Sequence, residues 1–231
     1  MLEILYEDDY LLVCEKPVGI ESQSSRSFEP DMVSLIKNYL SAGYTSGKLP
    51  YVGVIHRLDK PVGGIMVYAK NSFAASELSK EIQSHKITKK YYAVLCKIPV
   101  AYEGILVDYL QRDGKTNRSR VVASDQEGAK RAELKYKIVG VKTEGSQSLA
   151  LAKVELITGR HHQIRVQFSH IGCPIWGDNR YHSGIAEDSR SRNIGLYAYE
   201  LSFRHPKTKK ELSFMRKPTE EIFQGFTDIS E

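Results

Sequence analysis

An α+β fold is predicted, and three observations predict it. Strand-like segments outnumber helical ones along the 231 residues. The helical segments are few and short, and each carries one apolar face. The chain is 41% hydrophobic, enough for a sizeable core, yet its longest apolar run, Tyr91–Cys96, falls far short of the roughly 20 residues of a membrane span.

The elements follow in order. Residues 2–6 and 10–14 flank the turn-forming Asp8-Asp9 and read as a β-hairpin. A Ser-rich loop covers 21–29. Behind Pro30-Asp31, Met32, Leu35, Ile36, Tyr39 and Leu40 recur at helical spacing, which predicts a helix of three turns closed at Gly43. Strands are predicted at 51–56, 64–69, 90–97, 118–123, 131–140 and 147–157, with a helix at 72–84. Ile164, Phe168 and Ile171, with Gly172 behind them, predict a short basic helix over 160–171. Strands at 196–203 and 211–215 close the chain around the basic turn 204–210. No internal repeat or long linker divides it, so residues 1–231 are expected to form one domain.

Thirty-three Lys and Arg against 28 Asp and Glu leave a net charge of +5, a mild excess that permits a polyanionic partner. The acidic start at Met1 does not resemble a secretory leader. Cys14, Cys96 and Cys173 are too few and too scattered for a disulfide framework or a paired-cysteine zinc site. A cytoplasmic location is expected.

Three segments carry candidate chemistry. In His56-Arg57-Leu58-Asp59-Lys60-Pro61-Val62-Gly63-Gly64, an aspartate at a strand-to-turn junction can be displayed from rigid scaffold, or can merely cap backbone amides. In Thr158-Gly159-Arg160-His161-His162-Gln163-Ile164-Arg165, cationic side chains and helix-start amides suit phosphate, and a solvated helix face is the alternative. The adjacent histidines would point to different helix faces, and no cysteine or carboxylate cluster completes a tetrahedral site, so no metal is expected. In Lys89-Lys90-Tyr91-Tyr92, strand alternation sends the two tyrosines to opposite faces, one into the core and one free for a nucleobase, with lysines for phosphates.

Taken together, in this order and over most of the chain, these segments resemble the RluA-type RNA pseudouridine synthases. Glu7 to Gly19 resembles the opening hairpin with its Lys-Pro-x-Gly turn, and His56-Arg57-Leu58-Asp59 resembles the motif of the catalytic aspartate. Lys89-Lys90-Tyr91 resembles the Lys-x-Tyr motif. Gly159 to Arg165, with Gly172 to Tyr181 beyond, is similar to the third motif, and Leu201-Ser202-Phe203-Arg204-His205-Pro206 to the C-terminal signature. Where the family commonly follows the aspartate with x-x-Thr-Ser-Gly, this chain has Lys60-Pro61-Val62-Gly63-Gly64, losing two hydroxyls that would brace the loop.

The resemblance implies a single mixed, largely antiparallel β-sheet catalytic domain with flanking helices and a central basic cleft, and isomerisation of uridine to pseudouridine in ribosomal or transfer RNA without cofactor. A monomer with no separate N-terminal RNA-binding domain is expected. The resemblance also implies Asp59 as the catalytic carboxylate, Arg165 as its partner favouring the ionised form, and Tyr91 against the target base. Arg57 would fill the space left by a flipped-out base, while His56, Lys89, Lys90, Arg160, His162 and Gln163 would contact RNA. A non-catalytic RNA-binding scaffold and a nucleoside hydrolase are the competing readings.

Overall fold

Asp8 closes the first hairpin as the sequence suggests, by accepting the backbone N–H groups of Tyr10 and Leu11 at 2.7 and 2.8 Å. In the computed structural model, which describes residues 2–24, 29–42, 49–144, 147–182 and 193–228, that hairpin is β1 (Glu3–Glu7) and β2 (Leu11–Lys16). Contacts gather the chain into two compact units, Met1–Thr88 with Ala198–Lys217, and Lys89–Tyr197 with Pro218–Glu231.

The first unit contains β1, β2, α1 (Met32–Ser41), β3 (Gly53–Val54), β4 (Gly63–Ala69), α2 (Ser72–Gln83), β10 (Leu196–Arg204) and β11 (Glu211–Met215). The pairs β1–β2, β2–β4, β3–β4 and β10–β11 are antiparallel, and an isolated parallel bridge joins Glu21 to Asp31. Every residue of β4 is buried, which explains its unbroken apolar sequence. Its Ile65, Val67 and Ala69 pack with Leu11, Val13, Leu201, Phe203 and with Ala74 and Leu78 of α2. The predicted strand 51–56 shrinks to β3 because the N–H of Val67, on β4 where pairing would continue, donates to the His56 ring at 3.3 Å instead. Asp31 caps α1 by accepting Ser34 N–H at 2.7 Å, while the proposed terminator Gly43 lies outside the described residues.

The C-terminal turn is tied to the opening hairpin within this unit. His205, 3% exposed, accepts the N–H groups of Lys207 and Thr208 at Nδ1, which leaves the proton on Nε2 to be donated to Asp8 at 2.7 Å. Burial would raise the Asp8 carboxyl, but bonds from Tyr10, Tyr6, Leu11 and His205 outweigh it and hold Asp8 below its ordinary value.

The second unit is an antiparallel sheet in the order β5 (Thr88–Leu95), β9 (Gln147–Leu156), β8 (Lys130–Glu144), β6 (Glu103–Asp113), β7 (Arg118–Val122). One face receives α3 (Gln163–His170), with Val166 against Leu110 and Ala132 and with Phe168 edge-on to Tyr136. The two-residue β12 (Thr227–Asp228) pairs with β8, and Lys142 holds the preceding turn through the carbonyls of Ile222 and Gln224. Strand β6 is absent from the sequence expectations because apolar residues occupy both of its faces: Ile105 and Val107 are 56% and 48% exposed, opposite Leu106 and Leu110, so no alternation marks it. Helix α3 starts later than expected because His162 adopts a left-handed φ of 54°. It ends as expected at Gly172, φ 75°. Among the described residues, no helix is long and apolar enough to cross a membrane.

Two outcomes are expected. Gly64 has φ 126°, and a Cβ there would stand 2.3 Å from the Ala198 carbonyl oxygen, so Gly64→Ala should cost about 3 kcal/mol or more in denaturant unfolding. Gly114→Ala, with nothing within 4 Å, should leave the midpoint unchanged. Because the folded-state pKa of Asp8 is lowered, its contribution is present above about pH 4 and lost as pH falls through the folded value, so the difference in melting temperature between wild type and Asp8→Asn should shrink from about pH 6 to about pH 2.

Candidate active site

The loop bearing Asp59 belongs to the first unit and has backbone anchors on both sides of the aspartate. Upstream, Ser22 accepts the N–H of Leu58 at 3.0 Å and donates its hydroxyl to the Leu58 carbonyl at 2.8 Å. Downstream, the Asp59 carbonyl accepts the N–H of Val62 at 2.9 Å, and the Lys60 carbonyl accepts the N–H of Gly19 at 2.8 Å. Gly64 then admits the close passage of the Ala198 backbone. Asp59 is half-buried, whereas Arg57 is exposed. His56 is fixed by the Val67 N–H that its Nε2 accepts.

Lys16 completes this brace and is a residue that the sequence reading named only as part of a turn. Its side chain is fully buried, and its three N–H donors meet the carbonyls of Pro17, Ile20 and Lys60 at 2.9, 2.6 and 3.3 Å. Burial pushes its pKa down to about 8, against an upward pull from the charge of Asp59. At neutral pH the group is a cation, held beside the carboxylate by the Lys-Pro-x-Gly turn. The segment after Asp59 is thus held by a hydroxyl and an ammonium from the N-terminal segment.

In the second unit, the Thr158–Arg165 segment rests on buried amides. Thr158 accepts Glu133 N–H at 2.8 Å and donates its hydroxyl to Gln163 Oε1 at 2.8 Å, and the same oxygen accepts Arg160 N–H at 2.9 Å. The Gln163 amide donates to the Glu133 carbonyl and to Gln167, which donates to Asp108 at 2.7 Å. Gln163, expected at the RNA surface, is 3% exposed and spends its amide on this network, so it shapes the loop instead of facing solvent. Arg160 is exposed, its Nε bonded to the Arg131 carbonyl at 2.8 Å.

Arg165 makes a bidentate pair with Asp178, Nε to Oδ2 and Nη2 to Oδ1, both at 2.7 Å, with side chains 5% and 0% exposed. Its guanidinium also lies 5.2 Å from the Tyr181 ring centre. Sequence reasoning missed Asp178 as a partner, although Gly-Asp in the turn beyond the third motif was visible. The two histidines do not diverge as helical neighbours would: they precede α3 and stack at 3.7 Å. Ser119 meets His161 Nδ1 at 2.9 Å, and Tyr181 meets His162 Nδ1 at 2.7 Å.

Strand β5 separates the aromatic and basic pairs as alternation requires. Tyr91, 6% exposed, lies on the same strand face as Lys89, while Tyr92 and Lys90 are half-buried on the other. The Lys89 ammonium lies 3.3 Å from where a Cβ on Gly159 would stand, and burial lowers its pKa. Lys89, Tyr91 and the start of the third motif are therefore neighbours, and Lys90 stands apart from them.

Residues 10–170 match the family model described as RNA pseudouridylate synthase. An uncharacterized RNA pseudouridine synthase of Mycoplasma pneumoniae is 32% identical over 92% of this chain, which spans 65% of that protein's length. The dual-specificity RNA pseudouridine synthase RluA of Vibrio vulnificus is 32% identical over 89% of this chain and 79% of its own. Among solved structures, human RNA pseudouridylate synthase domain containing 1 shares the fold, with a TM-score of 0.77 at 19% identity, covering 94% of this chain and 84% of that one.

Removing one partner of a buried bidentate pair strands the other's charge. Asp178→Asn should therefore lower unfolding stability by about 3 to 5 kcal/mol, measured by denaturant titration.

Proposed function

The chain belongs to the RluA-type RNA pseudouridine synthases, and from that premise we propose that it isomerises uridine in structured ribosomal or transfer RNA to pseudouridine, with Asp59 as the catalytic carboxylate. The observation that carries this reading is the Asp59 loop: the His-Arg-Leu-Asp motif lies within the family match and is held at Leu58, Asp59 and Lys60 by backbone bonds that leave the carboxylate half-buried. Such anchoring fixes a reacting group without spending its charge on a helix cap.

The reaction breaks the bond between ribose C1′ and uracil N1 and forms one between C1′ and C5. The C5 proton leaves to solvent, N1 gains one, and no electrons enter or leave. An ionised carboxylate serves as nucleophile toward the sugar or base, or as the base that takes a ribose proton. Arg165 serves as the positioning cation for Asp59, and its rigid pairing with Asp178 and its contact with Tyr181 suit that task. Lys16 adds a second fixed positive charge to the same loop.

A stacked uridine must leave its helix at a cost of a few kcal/mol. Exposed Arg57 fills the gap, its planar guanidinium replacing lost stacking, and Tyr91 supports the uracil. His56, Lys89, Lys90, Arg160, His162 and the turn 204–210 serve the surrounding RNA within a basic cleft, although Lys209 of that turn already pairs with Glu77 at 2.6 Å. Gln163 contributes by holding Arg160 in place. We place the protein in the cytoplasm, a reading supported by its three free cysteines, Cys14, Cys96 and Cys173, and propose that it acts as a monomer.

The test is release of tritium from C5-labelled uridine in cellular RNA lacking this activity. Wild type should release it, and Asp59→Asn should be slower by about 100-fold or more while still binding RNA. Undiminished release by the variant overturns the assignment of Asp59, and free uracil as product identifies a hydrolase instead.

A further inference from the structure

We infer that Arg112 and Arg180 form a subsite for a backbone phosphate of the RNA, at the tip of the β6–β7 hairpin. The inference rests on the reading of this protein as acting on RNA, and it adds a binding element outside the motifs that carry that reading.

The hairpin is fastened in place, so its tip is a defined surface. Ser119 on β7 donates its N–H to the Tyr181 hydroxyl at 2.8 Å and meets His161 at 2.9 Å, and Val121 and Tyr181 both pack against the cluster of Leu110, Ala132 and Val166. Cross-strand register sets Arg112 opposite Ser119, on the face of the hairpin that meets α3. Arg180 reaches the same tip from the turn beyond α3.

Both arginines converge on one residue. Arg112 Nη2 donates to the side-chain oxygen of Asn117 at 2.8 Å, and Arg180 Nη1 donates to the Asn117 carbonyl at 2.9 Å. Asn117 holds both oxygens in place from a left-handed φ of 51°, which asparagine tolerates. Each guanidinium has five N–H donors and spends one of them on this neutral residue.

Neither arginine has a carboxylate within ion-pair distance among the described residues. The nearest acids in sequence are engaged: Asp178 by Arg165, and Asp113 by the N–H of Lys115 and the hydroxyl of Thr116. Two exposed cations gathered without a counter-charge repel each other, and an anion placed between them relieves that repulsion. Planar guanidinium forks suit phosphate oxygens. Arg118 and Arg120 point to the opposite face of the hairpin, where Arg120 bonds Gln111, and they serve as the internal control.

The experiment uses the full chain, with total RNA from cells lacking this activity as probe, and reads tritium release together with filter binding across a salt series. Arg112→Gln/Arg180→Gln should raise the apparent KM about tenfold with kcat within about twofold, and should reduce the slope of log K against log salt by about 0.7 to 1. Asn117→Asp, which keeps both arginines and the backbone but supplies the missing carboxylate, should raise KM in the same direction. Arg118→Gln/Arg120→Gln should change KM less than about twofold. An unchanged KM and salt slope in the first variant, or an equal effect from the control pair, overturns the subsite. If wild type binds RNA but releases no tritium, the isomerase reading fails, and the filter-binding arm still decides whether Arg112 and Arg180 hold phosphate.

Discussion

A buried ammonium must find acceptors for every N–H it carries, and that requirement at Lys16 organises the Asp59 loop. Two of its acceptors, Pro17 and Ile20, lie in its own turn, and the third, Lys60, lies just past Asp59. Withdrawing any of them would strand a desolvated charge, at a cost larger than a typical loop rearrangement. The Lys-Pro-x-Gly turn and the aspartate loop are thus locked to each other, and Gly19, with φ 86°, adds its own N–H to the Lys60 carbonyl.

The second unit solves the same problem with neutral groups. Its Thr158–Arg165 segment is irregular backbone, and Thr158, Gln163 and Gln167 supply the partners that a sheet or helix would otherwise provide. Arg165, at the end of this segment, pairs with Asp178 in a bidentate, nearly solvent-free arrangement. Such a pair adds little net stability compared with apolar packing, but it holds a guanidinium plane in a single orientation. Orientation is what the positioning role proposed for Arg165 requires.

The first of these braces surrounds the segment Lys60–Gly64 that departs from the family pattern. Pro61 restricts the backbone, Gly64 lets Ala198 approach closely, and Ser22 and Lys16 reach in from the N-terminal segment. The loop is thus bonded on both sides of the aspartate.

Local pattern made much of this protein legible in its sequence. The opening hairpin, α2 and β11 stand where the sequence places residues 2–6 and 10–14, 72–84 and 211–215, because turn, cap and strand preferences act over a few residues. The motifs around Asp59, Tyr91 and Arg165 were legible because their residue types and order carry the chemistry. Strand β6, the burial of Gln163, the partnership of Arg165 with Asp178 and the convergence of Arg112 and Arg180 on Asn117 were not. Each depends on groups brought together by strand register or by the turn after α3, and no pattern within a short window encodes which distant carbonyl or carboxylate will meet a given side chain. Residue type settled what chemistry was available; the folded backbone decided which of those groups were spent on structure and which stayed open to a ligand.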